Sequence, residues 1–171
     1  MENIIEFDPS KADKFNWNTI FFVTVFHIVA VVALFTFSWQ NLIAAFICWW
    51  VAGSWGIGIG YHRLLTHRGF KTSTALERFF ATCATLAVQS GPLAWVTTHR
   101  IHHAFTETDR DPHSPRNGTY WAHIGWIFRG TAQMQSAATV QRYSPDLLRD
   151  PYLRFIEKYY YMRPSPETCD G

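Results

Sequence analysis

Residues 17–37 read WNTIFFVTVFHIVAVVALFTF and residues 42–61 read LIAAFICWWVAGSWGIGIGY, separated only by Ser38-Trp39-Gln40-Asn41. Neither run carries a charged side chain. At ~1.5 Å of rise per helical residue, each is long enough to cross a hydrocarbon core of ~30 Å. A break this short is typical of a helix-helix turn, so the two runs are expected to form one antiparallel transmembrane hairpin. Both ends of the hairpin then return to the same side. Arg63, Arg68, Lys71 and Arg78 follow the second run, which makes that side cytoplasmic by the positive-inside rule. A soluble hairpin buried in a core is the alternative, and two adjacent spans of this length weigh against it. Trp39, Trp49, Trp50 and Trp55 read as interface or packing aromatics. Gly53, Gly56, Gly58 and Gly60 offer a small-residue face that another helix could approach closely. His27, inside the first run, reads as a packed residue rather than a ligand.

Outward from the hairpin, the rest of the 171 residues has room for about one domain. Mean hydropathy is close to zero because polar and apolar residues are segregated, not mixed. The net charge of +2, with no basic stripe, excludes nucleic acid as a partner. Cys48, Cys83 and Cys169 form no CxxC pair, so neither a disulfide framework nor a zinc ribbon is expected. Residues 1–16 are acidic and polar, lack the basic start of a secretory signal and read as a solvated arm. Residues 79–98 form a third uncharged stretch, but Gln89-Ser90-Gly91-Pro92 would break a straight helix at its centre. Residues 144–161 read as short surface helices, with Ser144-Pro145 and Asp150-Pro151 each placing a cap before a proline at the first helical position. Residues 162–171 are polar and expected to be disordered.

The chain has eight histidines, and five of them fall into two clusters, each directly after an apolar stretch. The first is His62-Arg-Leu-Leu-Thr-His67. On an α-helix, residues five apart point about 140° away from each other. Such a pair can serve two different metals, or one metal if the helix ends between them; two surface histidines at a membrane edge is the bland reading. The second cluster is His99-Arg-Ile-His102-His103, whose spacing places all three imidazoles on one helical face. Three crowded imidazoles repel when protonated, whereas a metal takes them neutral. Glu107, Asp109 and Asp111 follow and are candidates to accept the outer N–H of ligand histidines. A solvated basic face is the alternative. If both clusters serve one centre they lie on one side of the membrane, so residues 79–98 are expected along the cytoplasmic surface. His113 reads as a loop histidine with a possible supporting role, and His123 is ambiguous.

GYHRLLTH at 60–67, HRIHHAFTETDRDPHSP at 99–115 and HIGWIF at 123–128 resemble the histidine boxes and following segment of the membrane fatty-acid desaturases of the Δ9, stearoyl type. The similarity runs over about residues 15–161. The resemblance implies an all-α integral membrane protein, multi-pass, with the transmembrane hairpin joined to a cytoplasmic helical cap that carries the histidine boxes. It implies two irons, O₂ and two electrons, delivered by a donor such as ferredoxin or cytochrome b5, and a cis double bond placed in a saturated acyl-lipid or acyl-CoA chain. His62, His67, His99, His102 and His103 match the family's ligand positions, and Trp126 a position near the substrate head group. The family also has a third HxxHH box and two more spans, which this sequence lacks. The expectation is therefore a partial desaturase domain over 17–161, unable to complete the iron pair alone. A di-iron hydroxylase and a non-catalytic membrane fragment or partner subunit are the competing readings. Thr97-Thr98 precede the second box where the acyl-CoA branch tends to carry charge, which favours an acyl-lipid substrate. A zinc site is disfavoured, because no cysteine or carboxylate ligand pattern accompanies the histidines.

Overall fold

The computed structural model describes residues 15–129 and 135–160, and every regular element among them is helical. The expectations for the N-terminal arm, beyond Phe15 and Asn16, and for the tail at 162–171 lie outside the described residues.

Helix α1 spans Trp17–Ala33 and ends in a 3-10 turn, Leu34–Thr36. Asn16 opens it by accepting a hydrogen bond from the Thr19 amide at 3.1 Å, which satisfies one of the free donors of the first turn. Helix α2 follows at Trp39–Trp49 and runs without interruption into a π-helical segment, Trp50–Thr66. The break between the two runs is shorter than the four residues expected. Ser38 accepts from the Asn41 amide at 3.1 Å, so Trp39, Gln40 and Asn41 already belong to the first turn of α2. Trp17–Thr36 and Trp39–Thr66 are thus two helices long and apolar enough to cross a membrane. Their apolar side chains are not a soluble core: α1 and α2 contain no buried residue. An exposed apolar surface of this size calls for lipid or another apolar partner. The start of α1 is tied to the rest of the chain where the Asn16 amide donates to the Phe128 carbonyl at 2.7 Å.

The core begins where the second long helix leaves its apolar run. Tyr61 and Leu65 are fully buried and pack with Ala81 and Ala84 of α3 (Thr74–Thr85) and Val96 of α4 (Pro92–Phe105). Glycine permits the close approach. A Cβ at Gly60 would sit 2.8 Å from the Phe80 carbonyl oxygen, and one at Gly56 would meet the backbone of Ala84. Gly53 has nothing near it, so the four glycines do not act as a single face.

The stretch 79–98 breaks into two helices, neither long enough to span. The turn between α3 and α4 holds Val88 at φ 54 and Ser90 at φ 109, conformations that end a helix. The start of α4 has no cap of its own, because Gly91 lacks a side chain. Glu157, 64 residues downstream of Leu93, fills that role: its Oε2 accepts from the Leu93 amide at 2.8 Å and the Ala94 amide at 3.4 Å.

Past the site come α5 (Trp126–Phe128), after a short π-turn at Trp121–Gly125, then α6 (Ala137–Tyr143), α7 (Pro145–Leu148) and α8 (Pro151–Tyr160). Pro145 and Pro151 open α7 and α8 as the sequence predicts. Asp150 caps α8 through the Tyr152 and Leu153 amides. Ser144 does not cap α7 with its side chain; its hydroxyl accepts from Thr97 of α4 at 2.9 Å instead.

Candidate metal centre

His62 and His67 close on each other, against the 140° divergence expected of an α-helix. The segment that carries them is π-helical, and its wider turn returns after five residues rather than between three and four. The His67 amide donates to the His62 carbonyl at 3.1 Å, and the two Nε2 atoms lie 3.2 Å apart. The five-residue spacing of the first cluster is about one turn of the π-helix, which ends at Thr66 with His67 as its cap.

Helix α4 contributes the facing pair. His99 and His103 are four residues apart on an α-helix, one above the other, with Nε2 atoms at 3.1 Å. His99 is 4.9 Å from His62 and His103 is 4.6 Å from His67 between ring centroids. One nitrogen of each of the four rings lies within 4.8 Å of all the others. Burial, followed by the neighbouring charges of His103 and His62, pushes His99 down to about 3. Burial lowers His103 as well, with His67 the next cause. Burial thus disfavours the charged form of both α4 histidines, and the neutral form, with its free lone pair, is the state a metal requires. Trp95, one turn before His99, lies 4.8 Å from its ring and 5.7 Å from that of Tyr61, and forms a wall of the cluster that the sequence reading did not single out.

His102 leaves its two neighbours and joins a different group. Its Nδ1 is 2.9 Å from Oδ1 of Asp111, a carboxylate with no exposed surface. The same oxygen accepts the His113 amide at 3.1 Å, and Oδ2 accepts the Glu107 amide at 3.3 Å. His102, Asp111 and His113 thus form a second set of metal-competent groups. The two rings stack at 4.2 Å and 27°, and both present Nδ1 to the same Asp111 oxygen, at 2.9 Å from His102 and 4.0 Å from His113. The arrangement suits orientation: Asp111 accepts a hydrogen bond from Nδ1–H of His102 and leaves the Nε2 lone pair to bind a metal. Of the three acidic candidates, only Asp111 brings its carboxylate to a histidine. Glu107 contributes its backbone amide, and Asp109 is exposed and belongs to neither group.

The fatty acid desaturase family model matches residues 37–164, which includes both clusters. The chain belongs to the fatty acid desaturase family. It is 44% identical over 154 residues to an sn-1 stearoyl-lipid 9-desaturase of Anabaena variabilis, covering 88% of this chain and 55% of that protein. It is 39% identical over 160 residues to an sn-2 palmitoyl-lipid 9-desaturase of Nostoc sp., covering 93% and 56%. An acyl-CoA 5-desaturase of Anemone leveillei matches at 38% over 159 residues, covering 88% and 49%. The chain spans about half the length of the curated relatives it matches.

In this desaturase-family chain, the remaining sequence candidates sort by distance. Trp126 reaches the second group through His113, at 5.0 Å between rings. His113, read as a loop histidine, is drawn in because Asp111 holds its backbone amide. His123 is exposed and His27, hydrogen-bonded through Nδ1 to the Val23 carbonyl at 2.7 Å, lies in α1; neither belongs to either group.

Proposed function

We propose that this chain carries two of the histidine boxes of a membrane acyl desaturase that forms a cis double bond, at Δ9, in a saturated acyl chain of a lipid. The observation that carries this reading is the convergence of His62, His67, His99 and His103. Four imidazoles brought from two distant stretches to one focus are more than packing requires, and they suit an iron that keeps open positions for O₂. His102, oriented by Asp111, would hold a second iron through Nε2. Bound iron would activate O₂, the oxidant, to remove hydrogen from an unactivated C–H bond, which side-chain acids and bases cannot do. In the overall reaction a –CH₂–CH₂– unit, O₂, two electrons and two protons give –CH=CH– and two waters, so an electron donor such as ferredoxin or cytochrome b5 is required.

The two long apolar helices support a site at a membrane surface, and Arg63, Arg68, Lys71 and Arg78 support a cytoplasmic side for the boxes. A lipid substrate is favoured by the names of the Anabaena and Nostoc relatives. The uncharged pair Thr97-Thr98 adds less than the sequence suggested. Both are buried, and their hydroxyls bond Ser144 and Gln135, so packing alone excludes charge there. The names of the relatives all describe desaturases, which disfavours a hydroxylase.

The test is expression of the chain in a host without Δ9 activity, followed by metal analysis of the purified protein and gas chromatography of the host's acyl chains. Iron in the protein that is lost in His99→Ala supports the reading, and new Δ9 monoenes in host lipid would show in addition that these residues complete the centre without a third box. Hydroxylated acyl chains, or a protein with no affinity for iron, overturn it.

A further inference from the structure

Three residues outside the histidine set join the two boxes. Arg100, next to His99, grips Asp146 of α7 with two parallel hydrogen bonds, at 2.7 Å and 3.0 Å. The same guanidinium donates to the Leu65 carbonyl at 2.6 Å and the Tyr143 carbonyl at 2.9 Å. Leu65 lies between His62 and His67, and its carbonyl is among the last of the π-helical segment, where intrahelical partners run out. Arg68, next to His67, donates to Oδ2 of Asp146, the same oxygen that accepts from Nη2 of Arg100. Arg68 also holds φ 51, directly past the helix end where glycine costs least, so the chain accepts a strained arginine at this point. Burial raises the Asp146 carboxyl, but the hydrogen bonds from Arg100 and Arg68 outweigh it and hold the group well below the ordinary carboxylate range.

We propose that Asp146 is a positioning residue of the metal centre: by gripping Arg100 and Arg68 together, its carboxylate locks the first box in register with the second. The inference rests on the metal reading of the four imidazoles. The physical reason is geometric. His62 and His67 ride on one helix and His99 and His103 on another, and a slide or rotation between the two would separate the facing rings, His62 from His99 and His67 from His103, now 4.9 Å and 4.6 Å apart between centroids. The apolar contacts between these helices are non-directional and tolerate small slides. A two-pronged arginine-carboxylate pair does not, because its fork geometry fixes both distance and angle. Leu65 and Arg68 flank His67 of the first box, and Arg100 stands inside the second, so the clamp acts within two residues of a histidine on each side.

The experiment is a Co(II) titration of the full chain in detergent micelles, with cobalt as a spectroscopic substitute for iron, read as absorption intensity per chain and as affinity, beside thermal unfolding by circular dichroism. The variants are Asp146→Asn, Arg100→Lys and, as a control, Leu153→Ala, which weakens the core of the same C-terminal helices without touching the clamp. Asp146→Asn and Arg100→Lys are expected to weaken Co(II) binding about tenfold. Leu153→Ala is expected to lower the melting temperature most and to leave Co(II) affinity within about twofold of wild type. If Asp146→Asn does not fold, Arg68→Ala removes only the more exposed arm and is expected to weaken Co(II) binding roughly threefold. Wild-type affinity in the clamp variants, or affinity that simply follows melting temperature across the whole set, overturns the positioning role while leaving the metal reading intact. A wild-type chain that binds no cobalt overturns both.

Discussion

The four-imidazole cluster and the His102–Asp111–His113 group share helix α4 but are assembled in opposite ways. The first joins residues about 35 positions apart, on two helices, with no carboxylate among its donors. The second is local, folded within one loop around a carboxylate that no solvent reaches. Backbone register places the first; hydrogen bonds from one buried anion place the second. A four-nitrogen set can hold a metal by its own convergence. A single oriented imidazole offers one donor and depends on partners beyond its own loop. The two therefore respond to different injuries, and each prediction below damages one and spares the other.

The largest expected effect is at the first cluster. His99 touches all the other members and Trp95, so His99→Ala removes a donor and the packing that aims the rest. Metal affinity there is expected to fall by more than the roughly 10–100-fold that loss of an outer-shell partner costs, as measured by Co(II) or Fe(II) titration. The fold is expected to survive, because no hydrogen bond to the core runs through this ring.

Next comes Asp111→Ala. It strands three donors at once: His102 Nδ1, the His113 amide and the Glu107 amide. At about 1–3 kcal/mol for each buried group left unpaired, a net loss of about 3 kcal/mol is expected, or about 10 °C in melting temperature. Co(II) affinity at the first cluster is expected to change little. A loss there as large as that of His99→Ala would show that the two groups are one site and remove the contrast between them. Asp111→Asn keeps an acceptor oxygen and is expected to recover about half of the stability.

A third change tests whether register alone governs the first cluster. Gly60→Leu adds a side chain where even a Cβ would stand 2.8 Å from the Phe80 carbonyl. Overpacking of this kind costs about 1–3 kcal/mol. The π-helical segment must move off α3, carrying His62 and His67 with it. Metal affinity at the first cluster is expected to fall several-fold, with the His102–Asp111 bond unaffected by imidazole NMR. Unchanged affinity would mean that the four rings find their focus regardless of how the helices sit.

These contrasts also explain what the sequence disclosed. The two apolar runs, the proline-led starts of α7 and α8 and the break before Pro92 are local patterns, and each predicted its element. The histidines of both boxes were legible as types and spacings. Their partition was not, because it depends on the pitch of the helix. No composition marks residues 50–66 as π-helical, so His62 and His67 read as divergent until the wider turn brought them together. Trp95 was missed, and His113 was read first as a loop histidine, for a related reason: each reaches the site through a neighbour's contact, not through a motif. Asp146 and Glu157 lie 46 and 64 residues from the groups they bind, beyond any local pattern.

Glu157 carries the smallest effect and the one with a definite sign. Burial raises its carboxyl above the ordinary value of 4.5, and the bonds from the Leu93 and Ala94 amides offset that only in part. A raised acid binds its proton more tightly in the folded chain than in the unfolded one. Its stabilising contribution is thus complete below about pH 4.5 and declines as pH rises through the raised value. Asp146 runs the other way, since its depressed carboxyl loses its contribution only as pH falls below the ordinary carboxylate range. Glu157→Gln keeps an oxygen for the two amides and removes the titration. The variant is expected to lose the decline in melting temperature above pH 4.5, a difference of about 1–3 °C near neutrality, while retaining the acid-side loss that Asp146 produces. Because Glu157 caps the helix that bears both groups, it is also the one change expected to affect them equally. A variant that weakened metal binding at the first cluster alone would show that the start of α4 sets the register between the boxes and not merely the stability of the helix.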